Sequence, residues 1–344
     1  HLQLIRIFEK MNIKRLMIFA AAVAVVVPLG SCKKDKEGTY TTSESLPGTL
    51  TISVPKFIGT NSSVLLTPKG ITSDTVDVGY YWTAKPLYEE RDTTRHLGAD
   101  ESVTGAYEFI SKDTLCTVTL TCYAFAKGYS TQNASAYCTI VDPALGKTVT
   151  NDGVDTDTDV FVDSRDGKNY YYKTIGTRDW FVKNLAWEGA GSSFQDCEVM
   201  DGIYGRYYTW TEALTSCPDG WRLPSDEDWL DLASAGGYAG TDGTADFIGA
   251  AGSIMADARF NGEKITNRTG FAALPAGYCT IGDSVSYGHD FEYAVFWSSE
   301  SSKSDDGENM GIYRMIYVNR PDIMRGALNT DNFGASVRCV RDSE

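Results

Sequence analysis

Any chemistry in this 344-residue chain has to come from few histidines, eight cysteines and many carboxylates. Beyond the first residue the histidines are His96 and His289, which fall in different halves of the sequence. A histidine-based triad and an H-E-x-x-H zinc site are therefore unsupported. Neither a G-x-S-x-G nucleophile elbow nor a G-x-x-x-x-G-K-S/T phosphate loop occurs, which disfavours a common serine hydrolase and a P-loop nucleotide enzyme. With 46 acidic residues some carboxylate pair will always lie at a glycosidase-like spacing, so their abundance alone reads as a solvated surface. The cysteines include no C-x-x-C pair, which argues against a thiol redox motif or a zinc knuckle.

The start of the chain says where such residues would work. Ten residues precede Met11; then Lys14 and Arg15 form a basic segment, and Leu16 to Val27 an apolar run of signal-peptide length, short for a membrane span. Leu29-Gly30-Ser31-Cys32 closes it and resembles the bacterial lipobox, in which the cysteine is lipidated. Cys32 is thus the expected lipid site, residues 1–31 an upstream extension and signal peptide, and 32–47 a flexible tether. The expected location is the outer membrane or surface of a Gram-negative bacterium, with a lipid anchor. Residues 1–31 hold four basic and one acidic residue, so their removal takes the net charge from −15 to −18. That surface repels nucleic acid and anionic headgroups, so no nucleic-acid partner is expected. An exported chain with this cysteine count suggests disulfides. Cys116, Cys122 and Cys138 lie in the first half and Cys197, Cys217, Cys279 and Cys339 in the second, where three pairings are open.

Residues 48–143 read as an all-β, immunoglobulin-like sandwich serving as a spacer. Cys116, Val118, Leu120, Cys122 and Ala124 alternate with Thr117, Thr119 and Thr121, the period of a strand with one wet face. Ala136, Cys138 and Ile140 resume the inward face, so a Cys122–Cys138 bridge is expected. Residues 144–159 form an acidic linker. Asp155, Asp157 and Asp159 suit calcium only weakly, since the glycine and glutamate of an EF-hand loop are missing. From 160 to 344 six tryptophans and dense glycines mark a different domain, with helices expected at 209–216, 226–235 and, weakly, 246–258. The second is written most clearly: Ser225 with Asp228 spells a capping box, Trp229, Leu230 and Leu232 an apolar face, and Gly236-Gly237 a stop. Few helices among short strands imply an α+β domain.

This second half resembles the Fibrobacter succinogenes major paralogous (FISUMP) domain of exported bacterial proteins. The resemblance is carried in order by Asp166-Gly167-Lys168-Asn169-Tyr170, Ile175 to Trp180, Lys183-Asn184-Leu185, Gly205 to Trp210, Cys217 to Ser225, Gly270 to Gly277, Phe296 to Ser299 and Gly334 to Val340. It covers about half the chain. It implies a C-type-lectin-like fold, related to formylglycine-generating enzymes, with Cys217 tied to Cys339 and with Cys197 and Cys279 as a second pair or as buried thiols. In that fold class the loops before the last strand commonly form a ligand surface, in some relatives diversified by retroelements. Mapped here, the surface comprises Tyr313, Arg314, Tyr317, Asn319, Arg320, Asp322, Arg325, Asn329, Asp331 and Asn332. Their chemistry suits recognition, although Tyr313, Met315 and Tyr317 also alternate with Ile312, Ile316 and Val318 as a strand buried on one face. The expected function is a non-catalytic envelope lipoprotein that binds a glycan or protein ligand. Its rivals are a carbohydrate-active or cysteine-dependent enzyme, for which Cys279 and Cys339 are the arguable pair, and a purely structural envelope protein.

Overall fold

The computed structural model describes residues 32–34, 40–42, 44–72, 76–86, 105–155, 157–256 and 265–343. The signal segment, the side chain of Cys32, tether residues 35–39 and 43, and His96 lie outside them. The chain is β-rich and divides into two compact units: His1–Lys56, Ser63–Ile110 and Thr117–Thr139 form one, and Phe57–Ser62, Ser111–Cys116 and Ile140–Glu344 the other.

In the first unit β1 (Gly48–Thr51), β2 (Ser63–Leu66), β3 (Lys69–Ile71), β4 (Gly79–Pro86), β5 (Tyr107–Ile110), β6 (Thr117–Phe125) and β7 (Gln132–Val141, whose last two residues count with the second unit) form small antiparallel sheets. β6 lies between β4 and β7. The alternation read from its sequence holds in part: Val118, Leu120, Cys122 and Ala124 are buried and Thr117 and Thr119 half-exposed, but Thr121, expected on the wet face, is buried with its hydroxyl 2.8 Å from that of Ser135, and Cys116, expected inward, is half-exposed ahead of the strand. The Cys122–Cys138 bridge does not form. Register sets Cys122 against Ala134 and Cys138 against Val118, four residues apart on the ladder. At about 3.3 Å per residue that offset exceeds the reach of a disulfide.

The second unit contains β8 (Asp159–Val162), β9 (Asn169–Ile175), β10 (Arg178–Phe181), α1 (Trp210–Ser216), α2 (Asp226–Ala235), β11 (Tyr278–Ile281), β12 (Val285–Gly288), β13 (Tyr293–Lys303), β14 (Asn309–Tyr317), β15 (Ile323–Asn329), β16 (Phe333–Gly334) and β17 (Val340–Asp342). β8, β9, β10 and β17 form one antiparallel sheet, so the last strand of this unit pairs with one of its first, β10. β13, β14 and β15 form a second, and β11 pairs with β12 and β16. β13 is buried on both faces: Ala294 and Phe296 join a core around Trp180, Trp229, Phe271 and Ile316, while Val295 and Trp297 join another around Phe181, Trp221 and Val337.

Both strongly expected helices are present. Each starts with a capping box, Thr209 with Glu212 and Ser225 with Asp228, which satisfies amides that the helix itself leaves open. α2 stops at Gly236, and Gly237 takes a φ of 92°, open to glycine at little cost. Of the weak helix expected at 246–258, residues 257 and 258 lie outside the described residues, and 246–256 form instead a bridge of Phe247 to Ile323 followed by a single 3₁₀ turn, Ala251–Ser253. Phe247 exchanges both backbone hydrogen bonds with Ile323, and this pairing with the edge of β15 outweighs a helix interrupted by Gly249 and Gly252.

Candidate functional site

β14 carries the start of the segment in which a ligand surface was expected. Ile312, Arg314 and Ile316 point inward, while Tyr313, Met315 and Tyr317 are half-buried on the opposite face. This corrects the assignment of Arg314 to a ligand surface. Its guanidinium is fully buried, lies 4.2 Å over the Phe247 ring, and donates to Asp226 Oδ1 at 2.5 Å, to the Ala245 carbonyl at 2.8 Å and to the Gly243 carbonyl. Arg325, its cross-strand partner, donates from Nε and Nη2 to Asp226 Oδ2 at 2.9 and 2.7 Å. Asp226, the first residue of α2, thus joins helix to sheet, and Arg325 too is spent inside the fold. Asp322 is buried and accepts from the Gly249 amide. Asn329 accepts from the amides of Asp331 and Asn332, and Asp331 accepts from Thr211 and Thr330, so these groups shape the turn before β16. Tyr313 and Tyr317 remain half-exposed, and Asn319, Arg320, Asp331 and Asn332 are exposed. Asn319 donates to the Tyr317 hydroxyl at 3.1 Å.

Tyr317 belongs to a row of rings that sequence reasoning missed. It stacks on Tyr293 across the β13–β14 ladder, with centroids 4.9 Å apart. Tyr293 meets His289 edge-on at 5.4 Å, His289 stacks on Tyr278 at 5.1 Å, and Tyr278 packs on Phe333 at 4.8 Å. Such contacts stabilise aromatic pairs beyond the area they bury. The 288–293 turn supplies the middle of the row and adds an exposed Phe291. His289 and Phe291 both sit in the left-handed region, at φ 61° and 66°, where side chains other than glycine are strained. Gly277 passes beneath: a Cβ there would lie 2.2 Å from the Gly288 carbonyl oxygen. The visible signal was the alternation Tyr287, His289, Phe291, Tyr293, which lies upstream of the segment singled out by sequence.

The turn is acidic. His289 Nδ1 lies 2.9 Å from Glu292. Burial pushes the Asp290 carboxyl up, with Glu292 adding to the effect. Burial, then the neighbouring Tyr317, Glu292 and Tyr278, raises the Tyr293 hydroxyl to about 12, so it stays a hydrogen-bond donor at neutral pH. The linker carboxylates Asp155, Asp157 and Asp159 do not form a cation cage: among the described residues, no group of three or more His, Cys, Asp or Glu side chains converges in metal-ligand geometry.

Residues 173–341 match the profile of the Fibrobacter succinogenes major domain. The chain carries a Fibrobacter succinogenes major domain. No curated protein matches the chain. Within the Fibrobacter succinogenes major domain the sequence blocks serve mainly to hold loops together. Cys217 and Cys339 form a disulfide, with Cα atoms 5.8 Å apart. No second bridge joins Cys197 to Cys279. Cys197 donates to the Gln195 carbonyl, and burial raises the Cys279 thiol to about 11 despite a hydrogen bond with Ser192. Arg338 is buried and donates to Asn184 Oδ1 and to the carbonyls of Phe181, Phe271 and Ala272, with its guanidinium 4.4 Å over the Phe271 ring. Asn184 in turn donates to the Tyr204 carbonyl and the Ser336 hydroxyl.

Proposed function

We propose that this protein is a non-catalytic envelope lipoprotein whose C-terminal domain binds a glycan or protein ligand through the aromatic row Tyr278, His289, Tyr293 and Tyr317. The row itself carries the reading: half-exposed rings tipped with polar atoms and flanked by Asp290 and Glu292 provide stacking surface and hydrogen-bond acceptors together. In this reading the domain is a C-type-lectin-like α+β fold, with its ends closed by β17 and the Cys217–Cys339 bridge. The first unit is an immunoglobulin-like spacer, and Cys32 is the lipid site that anchors both at the outer membrane or cell surface. Asn319, Arg320 and Asn332 supply polar contacts near the row. Burial holds Cys279 as a thiol at about 11 and Cys339 is in a disulfide, which weighs against the cysteine-dependent alternative.

The test is binding of the full chain to a glycan array and to extracted surface proteins, with calcium and with chelator. Tyr293→Ala combined with Tyr317→Ala should weaken saturable capture at least about tenfold while the circular dichroism spectrum is retained. Undiminished capture by the double variant would remove the aromatic row from the interface.

A further inference from the structure

Most strand edges in the second unit are closed by the chain itself. Arg222 exchanges both backbone hydrogen bonds with Val340 of β17, and Phe247 does the same with Ile323 of β15. The Arg325 amide, on that same edge of β15, donates to Asp246 Oδ1 at 2.7 Å. On β13, Gly277 donates to the Tyr293 carbonyl, while Ser336 accepts from the Trp297 amide and donates to the Val295 carbonyl. β8 is different. Its register against β9 pairs Val160 with Tyr171 and Val162 with Asn169, and one rung on the Asp163 amide donates to the Lys168 carbonyl. Bonded and unbonded pairs alternate along an antiparallel ladder, so Asp159 and Phe161 bond to β9 while Val160 and Val162 turn their amides and carbonyls outward. The Tyr171 carbonyl fits this parity, because it accepts from Val182 on the far side. Among the described residues nothing bonds to the outward groups of Val160 and Val162. Their side chains are 47 % and 57 % exposed and lie on one face with half-buried Tyr171. Edge strands are usually guarded by a lysine, a proline or a bulge, and β8 has none. Charge flanks it instead: Asp155, Asp157 and Asp159, all exposed, lead into the strand.

We propose that β8 takes a fifth strand: an extended segment of a protein partner that pairs antiparallel with Val160 and Val162 and carries lysine or arginine at the end beside Asp155, Asp157 and Asp159. An open edge with exposed apolar side chains is a template for strand addition, in which backbone bonds give affinity and alternate side chains give specificity. Apolar residues of the added strand would lie beside the two valines, extending the stripe that Tyr171 begins. The acids at one end then select the partner's charge. A second copy of this chain is the poorer occupant, because each copy carries a net charge of −15 and repels another, whereas a basic segment is attracted. The edge shares no residue with the aromatic row, so it stands or falls apart from the ligand-binding reading.

The experiment titrates the full chain into a fluorescent peptide of alternating valine and threonine that ends in two lysines, with the same peptide ending in two glutamates as control. The lysine peptide should bind saturably, the glutamate peptide at least about tenfold more weakly, and the Val160 and Val162 amides should gain protection from hydrogen exchange. Val162→Pro removes an outward N–H and no bond to β9, so it should weaken binding at least about tenfold while Tm is retained. Val160→Lys, which sets a cation on the open edge, should weaken the lysine peptide similarly and serves if the proline variant melts early. No saturable binding, equal affinity for the two peptides, protection elsewhere on the chain, or binding unchanged in both variants would each overturn the assignment. A dimer in sedimentation that Val160→Lys dissolves would overturn it in favour of a second copy.

Discussion

Asp226 shows how far the role of a residue depends on what the chain brings to it. In sequence it is one of three acids in the first turn of a helix, where a negative charge suits the helix dipole. In the fold it is buried and bonds two arginines from adjacent strands, one of them itself fully buried. Removing one partner of such a group leaves uncompensated charge, at a cost of about 3 kcal/mol or more. Asp226→Asn is expected to lower the unfolding free energy by that amount in urea titrations. A loss below about 1 kcal/mol, the range of surface pairs, would mean that the network contributes little. Arg314 and Arg325 were legible as arginines suited to recognition. That both are already bonded depended on Asp226, 88 residues from Arg314 and 99 from Arg325, and no local pattern announces such a partner.

At the scale of the element, α2 was the most legible part of the chain because its signals are local: a cap, a box, an apolar stripe and a glycine stop. The same acid that completes its capping box, Asp228, is also held by Arg222 and Arg178. Burial would raise its carboxyl, but the Arg222 hydrogen bond, then the Ser225 amide and Arg178, prevail and hold it at about 2. Between that value and the ordinary carboxylate value near 4, the unfolded chain binds more protons than the folded one, so stability rises with pH. The contribution, on the order of 2 kcal/mol, is present in full above about pH 4 and is lost as pH falls through 2. Asp228→Asn should flatten that acid limb in pH-dependent denaturation; an unchanged limb would place the titrating group elsewhere. The 246–258 stretch lacked such local signals, and a neighbouring strand edge decided its structure.

At the scale of the molecule, the Cys217–Cys339 bridge closes 122 residues, taking in most of the second unit. A cross-link over so long a loop restricts the unfolded chain strongly, by about 4 to 5 kcal/mol in the chain-entropy account. Cys217→Ser should therefore lower Tm markedly and make it insensitive to reductant, whereas the parent should lose Tm on reduction. Equal melting of parent and variant would mean that the ends of the domain are held by β17 and the two cores alone. By itself the sequence determined the β-rich character, the two best-marked helices, the alternation of β14 and most of that of β6, and the family of the C-terminal domain, because each is written in local periodicity or contiguous motifs. Only the tertiary structure decided that Cys122 and Cys138 stand four rungs apart, that Arg314 faces inward, and that Tyr278, His289, Tyr293 and Tyr317 form one row. Those outcomes depend on strand register and on contacts between residues distant in sequence, where a shift of one position turns a side chain to the opposite face.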